Sequence, residues 1–269
     1  MTTFQKVIKY VAIAFAIFII FAVINTIINV GRGITGSFIR EESTKYNTKE
    51  LDSLSSYLDI KLSASNLEIK KGEKLKVESN SEDIKISENE NKIIIEEKAK
   101  RWYFNSKLSS VILYVPEDLK FDDVRIETGA GKLSIASLET DSLKLMLGAG
   151  KTTINKIASN NAKIETGAGE LIIKAGKLND AKIEVGVGNL EIKAEITGDS
   201  KIESGVGSIK LSLLGEDYKI VFNKGIGSIN FNGKSVKDDT TIGNGINTIK
   251  INGGIGSINV KTEKDLENS

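Results

Sequence analysis

Val124-Arg125-Ile126-Glu127-Thr128-Gly129-Ala130-Gly131 is the stretch that decides the fold, because its pattern returns along the chain at a nearly constant interval. The motif Gly-x-Gly begins at positions 129, 148, 167, 186 and 205, then at 225 and, after a longer gap, at 254. We expect each pair of glycines to form a corner that a Cβ atom would obstruct. These corner glycines are Gly129, Gly131, Gly148, Gly150, Gly167, Gly169, Gly186, Gly188, Gly205, Gly207, Gly225, Gly227, Gly254 and Gly256.

Alignment of the copies on their first glycine gives apolar columns that are expected to face inward, three residues before it and four and six residues after it. The first of these columns is Ile126, Leu145, Ile164, Ile183, Ile202, Phe222 and Ile251. A further apolar column, also expected to face inward, lies between the two glycines: Ala130, Ala149, Ala168, Val187, Val206, Ile226 and Ile255. Charged columns alternate with these, and the acidic one contains Glu127, Glu165, Glu184 and Glu203. A period of two within each repeat predicts β-strands.

One repeat of 19 residues cannot bury enough apolar surface to be stable alone, so neighbouring repeats must stack. We considered a β-solenoid and an antiparallel meander that closes into a sandwich. Because the inward columns keep the same offset in every repeat, the sequence favours an all-β, single-stranded β-solenoid (β-helix) of about seven 19-residue rungs stacked in chain order over residues 122–262. Residues 51–121 are expected to form an N-terminal β cap.

The N-terminal region predicts a membrane anchor. Residues 10–30 contain no charged side chain, and 21 residues at about 1.5 Å each span roughly 31 Å, the thickness of a bilayer core. A cleaved signal peptide and a buried soluble helix are the alternatives, but the sequence favours an uncleaved signal-anchor, a transmembrane helix in the lipid bilayer. Residues 31–50 are expected to be a juxtamembrane linker and 263–269 a disordered tail.

The count of basic residues does not decide the orientation, because Lys6 and Lys9 precede the span while Arg32, Arg40, Lys45 and Lys49 follow it. The basic tail of residues 1–9 beside a signal-like apolar run favours a cytoplasmic N-terminus. The single-pass protein would then carry its C-terminal body outside the cytoplasmic membrane.

Composition excludes several kinds of site. The chain has no Cys and no His, which removes disulfides, thiolate or imidazole metal ligands and Ser-His-Asp triads. Its net charge of +1 gives no field that would attract nucleic acid. We therefore predict no catalytic residue, no metal site, no cofactor and no nucleic-acid partner.

Three segments carry a resemblance to a known family. These are Val111-Ile112-Leu113-Tyr114-Val115-Pro116 and the Gly-x-Gly copies around Gly129 and Gly148. Together they resemble the bacterial "putative adhesin" family of β-strand-repeat domains, a domain of unknown function found in membrane-anchored envelope proteins that include the Lia-type group. The resemblance covers residues 51–261. It implies a β-solenoid outside the cytoplasmic membrane and no catalytic residues.

Two motifs imitate active sites. Gly148-Ala149-Gly150-Lys151-Thr152-Thr153 is similar to the end of a phosphate-binding loop, but position 145 is Leu and no helix is predicted to follow, so no nucleotide is expected. The glutamate column could supply paired carboxylates for glycoside hydrolysis or a ladder for divalent cations. A regular column gives every carboxylate nearly the same surroundings, whereas acid–base chemistry needs two different ones. We interpret the column as solubilising charge.

A basic and aromatic cluster is the best candidate for a contact site. It contains Lys98, Lys100, Arg101, Trp102, Tyr103 and Phe104, and the contact itself is assigned to Lys100, Arg101, Trp102 and Tyr103. Such a cluster can stack on a sugar or lie at lipid headgroups, or its aromatic rings can simply cover the core of a hairpin. Residues 237–247, with Asp238 and Asp239, lengthen the gap before the last copy and are either a binding loop or a plain insertion.

The sequence thus predicts a non-catalytic, adhesin-like binding or scaffold module anchored in the bacterial cell envelope. Cell-wall polymer or another membrane protein are the expected partners. The alternatives are a regulatory accessory protein of an envelope-stress sensing system and, less favoured, an enzyme that acts on polysaccharide.

Overall fold

The computed structural model describes residues 46–52, 55–98 and 108–263, all within the compact unit 46–269. The predicted tail 1–9 and membrane helix 10–30 lie outside these residues, as does most of the predicted linker. Within the described part of the chain, none of the elements is a helix with the length and apolar character that a membrane crossing requires.

In the part of the chain that the structure describes, sixteen β-strands form one sheet, which confirms the prediction of an all-β fold. They are β1 (Asn47–Glu50), β2 (Tyr57–Lys71), β3 (Lys76–Ser79), β4 (Ile84–Asn89), β5 (Lys92–Glu97), β6 (Ser109–Val115), β7 (Phe121–Ile135), β8 (Leu138–Ile154), β9 (Ile157–Ile173), β10 (Gly176–Asn179), β11 (Lys182–Thr197), β12 (Asp199–Leu214), β13 (Tyr218–Phe231), β14 (Lys234–Val236), β15 (Thr240–Ile242) and β16 (Asn247–Thr262).

Consecutive repeats pair in parallel and in register, which excludes the antiparallel meander. Ile183 of β11 is the register partner of Ile164 in β9 and of Ile202 in β12, so residues 19 positions apart lie side by side. Each long strand passes through its Gly-x-Gly corner and continues, and we call one such strand with its two arms a rung. The inward columns on both arms belong to one buried cluster, so the two arms enclose a common core.

The column between the corner glycines does not face inward, and that prediction was wrong. None of its seven members is buried, and Ile226 is 71% exposed. The reason is the corner itself: the pairing of β7 with β8 runs from Thr128–Leu147 to Ala130–Ala149 and skips the first glycines. Strict alternation of inward and outward side chains therefore stops at the corner and restarts after it.

The glycines are needed because the corners of neighbouring rungs approach closely. A Cβ atom on Gly148 would lie 2.2 Å from the carbonyl oxygen of Gly129 in the preceding rung. A Cβ atom on Gly188 would lie 1.7 Å from the carbonyl oxygen of Gly169, and Gly188 also has φ +142°. The second glycine of each pair thus combines a steric requirement with a backbone conformation that other residues avoid.

The region expected to be a cap contains a further rung. β2 pairs in parallel with β7 and aligns Ser63-Ala64-Ser65 with the Gly-x-Gly corner. Serine is tolerated there because the Cβ atom of each corner residue points towards the preceding rung in the stack. On that side of β2 lie β5 and β6, and neither strand passes the corner. Instead β5 pairs with the first arm of β2 and β6 with the second arm.

The two ends of the stack are covered by antiparallel strands. β4 pairs with β5, β3 with β6 and β1 with β3, so the end of the expected linker forms a strand of the sheet. At the C-terminal end, β14 and β15 pair antiparallel with β13.

Chain order and stacking order differ at the C-terminal end, which corrects the prediction of strictly sequential rungs. The order is β11-β12-β16-β13, so the last repeat lies between the two before it. This arrangement is possible because residues 232–246 form β14 and β15 on the outer edge of β13 and then return to the gap.

Candidate functional site

A long open groove of about 920 Å³ runs across six rungs, beside the first corner position, which is Ser63 in β2 and glycine in the other rungs. We call it the corner groove. At about 4.8 Å between adjacent strands, five steps make it roughly 24 Å long. Three consecutive positions of five strands and one position of the sixth line it: Lys61, Leu62 and Ser63; Glu127, Thr128 and Gly129; Met146, Leu147 and Gly148; Glu165, Thr166 and Gly167; Glu184, Val185 and Gly186; and Glu203.

The repeat itself produces the groove. The first corner glycine has no side chain and is exposed, so the backbone is accessible along the groove. The residue before it varies among Leu, Thr and Val, and these side chains are buried or half-buried. The residue two before it points outward and is glutamate in four of the six rungs. The groove therefore combines a partly apolar lining with a column of carboxylates.

Each of these glutamates is paired with a basic residue two positions earlier on the same strand. The Lys Nζ to Glu oxygen distances are 2.6 Å for Lys163–Glu165, 2.7 Å for Lys182–Glu184 and 2.8 Å for Lys201–Glu203. Arg125 and Glu127 form the same pair. Residues i and i+2 of a strand lie on one face, so the spacing of the two columns dictates these ion pairs.

The ion pairs of Glu165 and Glu203 favour the ionised form of these two carboxylates. The hydrogen bond from Lys163 lowers the pKa of Glu165, and hydrogen bonds from Lys201 and then Asn252 lower the pKa of Glu203. Glu184 in turn raises the pKa of Lys182. A general acid for glycoside hydrolysis needs the opposite shift. These carboxylates are suited to accept hydrogen bonds rather than to donate protons.

The groove also contains an unsatisfied polar group. Thr166 Oγ1 is buried and has no hydrogen-bond partner in the structure. Because this oxygen is shielded from solvent, a molecule in the groove could reach it only after rotation of the Thr166 side chain. Among the described residues that line the groove, the basic one is Lys61, at the β2 end.

The candidate contact residues Lys100, Arg101, Trp102 and Tyr103 lie outside the described residues, but their flanks are defined. Glu96 pairs with Lys61, and Ser109 pairs with Ser65. Residues 97–108 therefore connect positions that residues 62–64 connect in β2, which is nine more residues at one corner.

The other motifs from the sequence have structural roles. The phosphate-loop imitation lies within β8, where Thr152 is buried in an inward column. In the insertion before the last copy, Asp238 Oδ1 accepts a hydrogen bond from the backbone N–H of Lys224 at 2.7 Å. Across the described residues, no cluster of acidic side chains has the geometry of a metal site.

The corner groove was not predicted from the sequence, although its signal is present there. The glutamate column and the glycine column were each predicted, but separately. The position between them, Thr128, Leu147, Thr166 and Val185, is less regular and was not examined as a column. Adjacent columns of carboxylate, small or apolar side chain and bare backbone would have indicated a groove.

Several solved structures resemble the chain. A "putative cell adhesion protein" from Clostridium sporogenes is 17% identical, with a TM-score of 0.39 over 81% of this chain and 99% of that one. A "putative adhesin" from Bacteroides fragilis is 15% identical, with a TM-score of 0.46 over 81% and 97%. A "putative lipid binding protein" from Parabacteroides distasonis is 17% identical, with a TM-score of 0.41 over 80% and 96%.

No curated protein is significantly similar to the chain. The model of the Toastrack DUF4097 family, in contrast, matches residues 55–244. This match covers most of the chain and begins just before β2, the first full rung. The chain therefore belongs to the Toastrack DUF4097 family.

Proposed function

We propose that this protein is a non-catalytic binding module of the bacterial cell envelope that holds an extended wall polysaccharide in the corner groove. The observation that carries the proposal is the continuity of the groove over six rungs, five of which present the same three positions. A rigid stack loses little conformational entropy when it binds a long, regular ligand.

The chemistry of the groove favours a polymer rich in hydroxyl groups. Ionised carboxylates only accept hydrogen bonds, and the lowered pKa values of Glu165 and Glu203 keep them ionised. The ion pair engages Oε1 of Glu165 and of Glu184, so Oε2 of each can accept a hydrogen bond from a sugar hydroxyl. Each pair of a basic residue and a glutamate is neutral overall, so the groove offers no net attraction to anionic polymers such as polyphosphates.

Binding tests the proposal directly. Full-length protein in detergent should sediment with purified wall polysaccharide, and stripping anionic polymers from the wall should not reduce binding. The variant Glu165→Trp/Glu184→Trp would fill the groove, and Met146 in the same column shows that a large apolar side chain is accommodated there. We expect its affinity to fall at least about tenfold, or about 1.4 kcal/mol.

Glu170→Trp/Glu191→Trp is a matched control. These residues lie on the same strands, β9 and β11, but on the second arm, outside the groove. Each also forms one ion pair, with Lys151 and Lys210 at 2.8 Å. The control should bind as the wild type does. Equal loss in both variants, or loss of binding with the anionic polymers, would contradict the proposal.

The proposal includes display outside the cytoplasmic membrane by residues 10–30. It is supported by the length and apolar character of that segment. Because the chain has no Cys, a membrane-impermeant maleimide can map it in intact cells. Lys177→Cys, at a side chain that is 79% exposed, should be labelled, and Thr3→Cys should not. The reverse pattern would contradict display outside the cell.

The regulatory alternative differs in what it requires of the anchor. An accessory of a stress sensor would couple through the membrane segment, so replacement of residues 10–30 by an unrelated span would abolish signalling. The binding module that we propose would keep its affinity for the wall after the same replacement.

A further inference from the structure

The last strand occupies a gap between two strands that precede it in the chain. β16 pairs with β12 along one edge, from Asp199–Thr248 to Leu213–Thr262. It pairs with β13 along the other edge, from Tyr218–Asn247 to Phe231–Val260. Without β16, the facing edges of β12 and β13 would both lack this partner.

The gap precedes its occupant during synthesis. β12 and β13 are joined by residues 215–217, and both are complete before the ribosome reaches β16. An unpaired strand edge is a template for any chain that can pair with it. In that interval, the same two edges are present in every copy of the protein.

The gap selects its occupant by shape. A Cβ atom on Gly254 would lie 2.2 Å from the carbonyl oxygen of Gly205, and one on Gly256 would lie 1.7 Å from that of Gly207. The occupant must therefore carry Gly-x-Gly, together with side chains that continue the core as Ile251 and Ile258 do. β16 of another copy meets these requirements by identity.

The contacts of β16 do not depend on which copy supplies it. At its start, Asn247 Oδ1 accepts a hydrogen bond from the N–H of Gly198 at 3.1 Å, and the N–H of Asn247 donates to the carbonyl of Asp217 at 3.0 Å. After its end, Glu263 Oε2 accepts from the N–H of Gly215 at 2.8 Å. Strand exchange would preserve all of them and change only the connection of residues 243–246.

That connection is suited to a change of path. It contains Gly243, with φ +80°, and Gly245, whose hypothetical Cβ would lie 2.0 Å from the backbone of Asp217. It also contains Ile246, which is 82% exposed and so has little packing to lose. We propose that the gap between β12 and β13 is a strand-accepting site that β16 of a second copy of this chain can fill, which gives a strand-exchanged dimer.

Cysteine pairs in the Cys-free chain test this proposal. Ser208 in β12 and Ser257 in β16 are register partners with half-buried side chains. Adjacent strands are about 4.8 Å apart, within disulfide reach. Full-length Ser208→Cys and Ser257→Cys chains with different tags would be co-expressed and oxidised. We expect a shift from monomer to a dimer that carries both tags and is lost on reduction.

Two controls give every outcome a meaning. The double variant Ser208→Cys/Ser257→Cys must form its disulfide, whether within one chain or between two, which validates the geometry. Asn189→Cys with Ser257→Cys places the thiols two strands apart, about 9.6 Å, which is too far for a disulfide. Absence of the mixed dimer while the double variant closes would overturn the proposal, and so would equal cross-linking by the Asn189 pair, which would indicate surface proximity alone.

Discussion

Gly207 lies beside Gly256, which is 49 residues further along the chain, and not beside Gly227, which follows it by 20. Gly227 instead lies on the far side of Gly256. The last two copies of the repeat are therefore exchanged in the stack, although their sequences differ little from the others. Contacts between positions so distant in the chain form late, and they make the C-terminal end of the stack depend on the final strand.

The close approach of the corners makes substitution of a second glycine costly. Gly188→Ala would place a methyl group 1.7 Å from the carbonyl oxygen of Gly169 at φ +142°. We expect it to lower the free energy of unfolding by about 4 kcal/mol or more, among the largest effects of single substitutions. Urea denaturation followed by circular dichroism would measure it.

Gly233→Ala separates the steric effect from the backbone effect. Gly233 also has a positive φ, +74°, but nothing lies within 4 Å of its hypothetical Cβ atom. Its replacement should cost only the left-handed conformation, about 1–2 kcal/mol. If the two variants were equally destabilised, the contact between neighbouring corners would not be the reason that glycine recurs at these positions in every repeat.

The column between the two corner glycines is exposed, which predicts different effects on stability for substitution of two isoleucines of β13. Ile226 is 71% exposed, whereas Ile229 is 1% exposed in the core. Ile226→Asp should change the free energy of unfolding by no more than about 0.5 kcal/mol. Ile229→Asp would bury an unpaired charge and should prevent folding or cost several kcal/mol. Thermal melting of both variants would measure these effects. Severe destabilisation by Ile226→Asp would mean that the column between the corner glycines is buried in the core after all.

The sequence was sufficient to predict the strands, the parallel register and the inward columns, because each depends on a period repeated in every copy. It did not predict that Ala130 and Ile226 lie outside the core. The period of two can be followed through the corner in the sequence, but the alternation of inward and outward side chains is interrupted there in the backbone. The sequence pattern placed β2 in the cap and did not identify it as a rung, because Ser63 and Ser65 stand where the other rungs have glycine. Those serines are compatible with the corner only because β5 and β6, the neighbouring strands on that side, do not pass it. A local sequence pattern contains no information about such a neighbour.

The corner groove was partly predictable. Glu165 and Glu184 were recognised as a column, and their ion pairs follow from the spacing of two residues. The groove itself depends on how the backbone turns before Gly167 and Gly186, so it appears only when the arms of the rungs have a known angle. The insertion of β16 was not predictable from the repeat, since Gly225 and Gly254 match the motif equally well.

The ion pairs on the rim of the groove predict a specific titration. The hydrogen bond from Lys201 is the main reason that the pKa of Glu203 is lowered. The contribution of Glu203 to the free energy of unfolding is fully present above its pKa in the unfolded chain, about 4.3. It is lost as the pH falls through the lower pKa of Glu203 in the folded protein. Lys201→Gln should therefore raise the pKa of Glu203 and remove most of this acid-dependent contribution. Carbon-detected NMR of labelled glutamate side chains measures the titration.

Lys163→Gln is the control for this titration. Lys163 donates to Glu165, two strands away from Glu203, and its removal should raise the pKa of Glu165. The titration of Glu203 should stay nearly unchanged in that variant. Equal shifts at both glutamates in either variant would mean that the field of the whole lysine column, and not the pair within each strand, sets these pKa values.

Tyr218 predicts how the protein responds to alkali. Its hydroxyl donates to the carbonyl of Leu214 and accepts from the N–H of Ile196 at 3.4 Å. Burial is the main reason that the pKa of Tyr218 is raised, so folding favours the neutral phenol. The contribution is fully present below the unfolded pKa of about 10, and stability falls as the pH rises from there through the folded pKa.

Tyr218→Phe should therefore cost about 1 kcal/mol at neutral pH, the net value of a lost hydrogen bond, and should flatten the loss of stability above pH 10. Tyr57→Phe, at a side chain that is 43% exposed, is the matched control and should keep the alkaline slope of the wild type. Urea midpoints at several alkaline pH values would measure both. The hydrogen bond from Tyr218 to Leu214 closes the short connection between β12 and β13, which have β16 between them. If Tyr218→Phe left the loss of stability with pH unchanged, this connection would open before the phenol ionises.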